Sequence, residues 1–106
     1  MTEWYDVTNN EAVKDLAEAQ VLYIDIREPE EYLEEHVPGS VNIPVSRLAQ
    51  TDWAPYQGAQ VMLSCRSGKR TQINKAEILQ KGLGEVYCLA GGIEQWKSAG
   101  LPTVKR

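Results

Sequence analysis

The sequence predicts an α/β domain with a mostly parallel β-sheet. Short apolar runs alternate with segments of helical periodicity along all 106 residues, which is typical of this fold class. Residues 21–24 are continuously apolar, as expected of a central strand that is covered on both faces. The length suits a single domain over residues 1–106, built around one hydrophobic core.

The first half predicts three strands, around residues 4–7, 21–24 and 40–43. Between the first two, Thr8 begins a capping-box pattern with Glu11, which indicates a helix. Pro29 fits the first turn of a short second helix that stops by residues 38–39. Residues 45–59 show the weakest pattern, with one short helix near residues 46–49 followed by a loop.

The second half predicts a buried strand at residues 61–64, and Cys65 follows it directly. A helix is expected from Thr71 onward, with the apolar stripe Ile73, Ala76, Leu79 and Leu83. Residues 85–89 form the last predicted strand. After it, glycines 91 and 92 open a helix that turns Ile93 and Trp96 inward.

Composition excludes several classes of protein. The net charge of −4 divides unevenly: residues 1–60 carry −9 and residues 61–106 carry +5. Basic residues are too few, and too seldom next to aromatics, for a nucleic-acid partner, so a small anion or an acidic protein surface fits better. No segment suits a membrane span or a signal peptide, and we expect a cytoplasmic protein. Two cysteines and one histidine predict neither a disulfide scaffold nor a metal site, and we expect no cofactor.

The segment from Cys65 to Thr71 is the strongest functional signal. It places one thiol beside three cationic side chains and a glycine, at the point where a predicted strand is followed by a predicted helix. A thiol ionises more readily near cations and a helix N-terminus, and backbone N–H groups curled around it can hold an anion. The alternative is a buried cysteine followed by a solvated basic turn. The three cations and the strand-to-helix context favour a nucleophilic thiolate.

Three motifs in order resemble the single-domain rhodaneses, a family of sulfurtransferases. The first is Asp25-Ile26-Arg27-Glu28 with Glu31-Tyr32 and the stretch HVPGSVNIP at residues 36–44. The second is Cys65-x-x-Gly68-x-Arg70-Thr71. The third is Gly91-Gly92-Ile93-x-x-Trp96-x-x-x-Gly100-Leu101-Pro102. The resemblance covers nearly the whole chain.

This resemblance implies a rhodanese-like three-layer fold with a five-stranded, mainly parallel sheet flanked by helices. It implies that Cys65 takes the outer sulfur of thiosulfate or a similar small anionic donor as a persulfide. The sulfur then passes to cyanide, a thiol or a protein. Cys65 is the expected catalytic residue, and the expected substrate-binding residues are Arg66, Ser67, Gly68, Lys69, Arg70 and Thr71. We expect a monomer or a weak dimer.

Two other functions stay open. The domain could be a sulfur carrier loaded by a protein donor for cofactor or tRNA thiolation. A phosphatase or arsenate reductase is less favoured, because related enzymes of that kind carry five residues between Cys and Arg, whereas four intervene here.

Several further residues are interpreted as structural. Asp25 and Arg27 are expected to brace the fold through ion pairs, and His36 has no place in sulfur transfer. Cys88, inside an apolar strand, is expected to be a buried, inert thiol. Arg70 could point into the loop or outward to the substrate. The Thr71 hydroxyl is expected to cap the following helix.

Overall fold

A five-stranded, all-parallel sheet forms the centre of the protein, as seen in a computed structural model that describes residues 1–106. Its strands are β1 (Glu3–Val7), β2 (Leu22–Asp25), β4 (Val41–Asn42), β5 (Gln60–Ser64) and β6 (Glu85–Leu89). They are arranged in the order β1-β6-β5-β2-β4, so β5 lies in the middle. The predicted fold class is confirmed, and all five predicted strands are present.

Five helices flank this sheet: α1 (Asn10–Glu18), α2 (Pro29–Glu34), α3 (Lys69–Ile73), α4 (Lys75–Ile78) and α5 (Gly92–Ser98). Two short 3-10 helices, Val45–Arg47 and Ala54–Tyr56, occupy the segment with the weakest sequence pattern. None of the helices combines the length and apolar character needed to cross a lipid bilayer.

The core is divided between the two faces of the sheet. On one face, Val13 of α1 and Trp96 of α5 pack with Tyr23 and Met62 of the sheet. On the other face, Ile78 of α4 and the side chains after β4 cover the sheet. This layering confirms the inward direction predicted for Ile93 and Trp96, which are 2% and 6% exposed.

A second, two-stranded sheet was not predicted. Strands β3 (Glu35–His36) and β7 (Val104–Lys105) pair antiparallel. Each strand has only two residues, too few to show an alternating pattern in sequence. The pairing ties residues 104–105 to the end of α2.

Two predicted helix starts are wrong. The cap of α1 is Asn9, whose side chain accepts a hydrogen bond from the Glu11 N–H, so Thr8 lies one residue before the cap. The helix expected from Thr71 begins at Lys69 and breaks at Asn74 into α3 and α4. The Asn74 side-chain amide donates to the carbonyl of Arg70 at 2.8 Å, which satisfies the end of α3 locally.

Candidate active site

Cys65 follows β5 directly, at the carboxyl end of the central strand, where open α/β sheets bind their ligands. The residue is only 1% exposed. Its Sγ accepts a hydrogen bond from the Gly68 N–H, at 3.0 Å. The loop therefore curls back on the thiol, and Gly68 is the residue whose backbone N–H meets the sulfur.

Two glycines allow this loop to close. Gly68 has φ +89°, and a Cβ there would lie 1.9 Å from the carbonyl oxygen of Ala90. At Gly92 a Cβ would lie 2.3 Å from the Cys65 carbonyl oxygen, which also accepts a hydrogen bond from the Ile93 N–H at 2.9 Å. The start of α5 is thus pressed against the loop. The third sequence motif contains Gly92 but does not by itself indicate this contact.

The Thr71 side chain lies beneath the loop and is fully buried. Its hydroxyl donates to the Gly68 carbonyl at 2.7 Å, and its Oγ1 is 4.0 Å from Cys65 Sγ. The prediction that this hydroxyl caps the following helix is wrong, because α3 already begins at Lys69. The hydroxyl bonds a carbonyl of the loop instead of a free N–H of the helix.

Arg70 forms a two-pronged ion pair with Glu31 of α2. Its Nη1 and Nη2 lie 2.6 Å and 2.9 Å from the two carboxylate oxygens. The hydrogen bonds from Arg70 lower the pKa of Glu31 to about 2, and the pair raises the pKa of Arg70. The guanidinium therefore ties the loop to α2. Its predicted contact with substrate stays a prediction.

Arg66, Ser67 and Lys69 are the exposed residues of the loop. Arg66 lines a cavity of about 260 Å³ that opens beside the loop. The other residues around this cavity are Arg27, Glu31, Glu34, Glu35, Ile93 and Glu94. The sequence predicts a positive anion site here, and the structure adds four carboxylates to it.

Asp25 and Arg27 form a buried ion pair at the end of β2. The guanidinium donates to both carboxylate oxygens, with Nη2 to Oδ2 at 2.8 Å, and also to the Glu35 carbonyl at 2.6 Å. The amide of Asn42 bonds the carbonyls of both residues. These contacts join β2, β4 and the end of α2, which is the bracing role expected for the pair.

His36 also makes structural contacts. Its Nδ1 lies 2.9 Å from the Tyr32 carbonyl oxygen, and its ring stacks on the Tyr32 ring with centroids 4.2 Å apart. Cys88 is fully buried in β6, and burial raises the pKa of its thiol. Both residues agree with their structural interpretation.

The protein is a parallel α/β domain with a buried cysteine in a glycine-containing loop at the end of its central strand. This combination defines a class of proteins built around one thiol. Residues 8–99 match the model of the rhodanese-like domain, and the chain belongs to this family.

Relatives and solved structures agree with this assignment. The chain is 31% identical to thiosulfate sulfurtransferase GlpE of Pseudomonas aeruginosa over 98 residues, covering 92% of this chain and 89% of that one. It is 35% identical to an uncharacterized protein of Synechocystis sp., where the match covers 80% of this chain and 48% of the relative. The crystal structure of a rhodanese-related protein from Thermoplasma volcanium has a TM-score of 0.76 at 28% identity, covering 94% and 98% of the two chains. Family and relatives support sulfurtransferase activity.

Proposed function

We propose that this protein transfers the outer sulfur of thiosulfate, or of a similar small anion, through a persulfide on Cys65. The observation that carries the proposal is the Gly68 N–H aimed at Cys65 Sγ at 3.0 Å, inside a loop at the end of the central strand. A backbone N–H in this position stabilises negative charge on sulfur. The 31% identical relative named thiosulfate sulfurtransferase supports the choice of donor.

The reaction consists of two displacements at sulfur. The Cys65 thiolate attacks the outer sulfur of thiosulfate; a new S–S bond forms, and the old one breaks with its electron pair leaving on sulfite. A nucleophilic acceptor such as cyanide or a thiolate then attacks the terminal sulfur of the persulfide. The second S–S bond breaks, and the Cys65 thiolate is restored.

The remaining loop residues support both steps. The exposed cations Arg66 and Lys69 attract the doubly charged donor and the departing sulfite. We expect the N–H groups of residues 66–70 to surround the terminal sulfur of the persulfide, since the Gly68 N–H contacts Cys65 Sγ. Four residues between Cys65 and Arg70 make a ring suited to one sulfur atom, smaller than the loop of related phosphatases.

Intact-mass spectrometry tests the proposal directly. Incubation with thiosulfate should add one sulfur, roughly 32 mass units, as expected for persulfidation of a single thiol. Cyanide should then return the protein to its original mass and release thiocyanate. The matched control is Cys65→Ala, which retains Cys88 and should acquire no sulfur.

An adduct that survives in Cys65→Ala, or the absence of an adduct with every small donor tried, would overturn the proposal. Slow loading by thiosulfate together with rapid loading by a protein donor would replace it with the sulfur-carrier function. Hydrolysis of an aryl phosphate that depends on Cys65 would replace it with the phosphatase function.

A further inference from the structure

A buried chain of hydrogen bonds runs behind the loop, from β6 to Cys65. Cys88 Sγ lies 3.3 Å from Thr71 Oγ1, and Thr71 Oγ1 lies 2.7 Å from the Gly68 carbonyl oxygen. The N–H of the same Gly68 residue contacts Cys65 Sγ. Cys88 and Thr71 are both fully buried, so no water competes for these contacts.

The direction of each hydrogen bond in this chain follows from the number of protons. A threonine hydroxyl has one proton, and the Gly68 carbonyl can only accept it. Thr71 must therefore accept from Cys88, whose S–H is the donor. Gln72 Nε2, 3.7 Å from Cys88 Sγ, donates a second hydrogen bond to this sulfur. Burial raises the pKa of the Cys88 thiol, which keeps the proton in place.

Strand register argues against a role for Cys88 as a partner in a disulfide. Leu63 of β5 lies opposite Cys88 of β6, so Cys65 is offset by two residues along the strand. With strands about 4.8 Å apart and a rise of about 3.3 Å per residue, the two Cα atoms are about 8 Å apart. A disulfide needs less than about 7 Å. The register therefore keeps Cys88 out of disulfide distance of Cys65, and the contacts that the structure shows for its thiol are hydrogen bonds.

We infer that Cys88 is a positioning residue for the nucleophile. Its S–H holds the Thr71 hydroxyl on the Gly68 carbonyl, and this contact fixes the Gly68 residue with its N–H aimed at Cys65 Sγ. The inference rests on the proposed function only in taking Cys65 as the reacting group. Without the Cys88 proton, the Thr71 hydroxyl is free to turn toward Cys65 Sγ, 4.0 Å away, and to leave the Gly68 carbonyl.

The test compares Cys88→Ser, which keeps a hydrogen-bond donor, with Cys88→Ala, which removes it. The rate constant for alkylation of Cys65 by iodoacetamide is measured on each folded protein, with Cys65→Ala as the background control. Cys88→Ala should slow alkylation about two- to tenfold, the range expected for one hydrogen bond. Cys88→Ser should stay within about twofold of the natural protein. With thiosulfate as donor, the loss should fall on kcat and leave KM unchanged.

The same pair of substitutions in a Thr71→Val background provides the decisive control. There the hydroxyl is gone, and serine and alanine at position 88 should give equal alkylation rates. Equal rates for the two variants in the natural background, or a difference that persists in Thr71→Val, would overturn the inference. Alkylation needs no sulfur donor, so failure of thiosulfate as substrate would refute the proposed function and leave this result standing.

Discussion

The geometry of the site depends on the absence of a Cβ atom at Gly68. An alanine there would adopt a left-handed conformation, at about 1 to 2 kcal/mol, and would also meet the Ala90 carbonyl. Gly100 has a similar φ of +82° with no atom within 4 Å of the added Cβ, so it isolates the conformational cost. The difference between the two positions measures the close approach of the loop to residue 90.

We expect Gly100→Ala to lose about 1 to 2 kcal/mol of unfolding free energy and to keep the reactivity of Cys65. Gly68→Ala should lose more stability and most of that reactivity, because the loop backbone must move. Chemical denaturation and iodoacetamide labelling measure the two effects. A Gly68→Ala protein as stable and as reactive as Gly100→Ala would refute the role given to this approach.

The ion pair of Glu31 and Arg70 gives a pH-dependent contribution to stability. Because the pKa of Glu31 is lowered in the folded protein to about 2, the pair stabilises the fold above the unfolded value near 4.5. This contribution is lost as the pH falls toward about 2. Both side chains are about one-third exposed, so solvent screening keeps the effect small.

Glu31→Gln should lower the unfolding free energy by at most about 1 kcal/mol near neutral pH, and the loss should disappear as the pH falls through about 2. The control is Glu30→Gln, which removes the same charge from the same turn of α2, where the side chain is exposed. Urea titrations from neutral to acid pH measure both variants. An equal loss for both would assign the effect to the helix and not to the ion pair.

The elements α3 and α4 differ most from the sequence-based expectation. Helical spacing predicts that Ile73, Ala76, Leu79 and Leu83 point inward together. Ile73 is instead 73% exposed, Ala76 is exposed as well, and the fully buried residue of α4 is Ile78, which is not in that stripe. Asn74 ends α3 and precedes α4, and its backbone departs from helical geometry, with φ −100° and ψ 10°. The spacing of apolar residues cannot reveal a helix break at which a side-chain amide bonds the backbone, as Asn74 does.

Ile78→Ala should therefore cost about 2 to 5 kcal/mol, the usual range for an isoleucine truncated in a core. Ile73→Ala should cost about 0.5 kcal/mol or less, as surface substitutions do. Thermal and chemical unfolding of the two variants make the comparison. Similar losses at both positions would contradict the exposure of Ile73 and the burial of Ile78 in these two helices.

The periodicity of apolar residues and the turn residues are sufficient to predict the five parallel strands and the helices α1, α2 and α5. They also predict that Cys65 follows β5. They were not sufficient for β3 and β7, which are too short to carry a pattern. The Cys65 loop followed from residue types at a fixed spacing. The partners of Arg70 and Thr71 did not, because Glu31 and Cys88 reach the loop from elements distant in the chain.

Across the whole molecule, charges that are separated along the chain come together at the site. The acidic first half supplies three of the carboxylates around the cavity beside Arg66, although the basic second half contains the loop. Because β2 and β5 are neighbours, α2 lies next to the loop. The site is therefore less positive than the sequence alone predicts.

Removing a carboxylate at this cavity should speed the reaction with an anionic donor, because the removed charge repels it. Glu94→Gln should raise kcat/KM for thiosulfate about two- to fivefold at low ionic strength, and the gain should fade at high salt, where charges are screened. Glu18→Gln is the control, because α1 ends at the opposite edge of the sheet, just before β2. Steady-state kinetics at several salt concentrations measure both variants. An equal gain in the two variants would show that only net charge matters.

Because Cys65 is buried, the loop limits the width of the reagents that can reach its sulfur atom. A sulfur atom with almost no exposed surface is reached only by reagents with a slender reactive end, whatever their charge. Persulfide formation lengthens the side chain by one sulfur, about 2 Å. If Cys65 carries sulfur as proposed, a bulky protein acceptor has more sulfur to contact on the persulfide form than on the free thiol. On the proposed mechanism, the depth of the thiol would let such an acceptor distinguish the persulfide form from the free thiol.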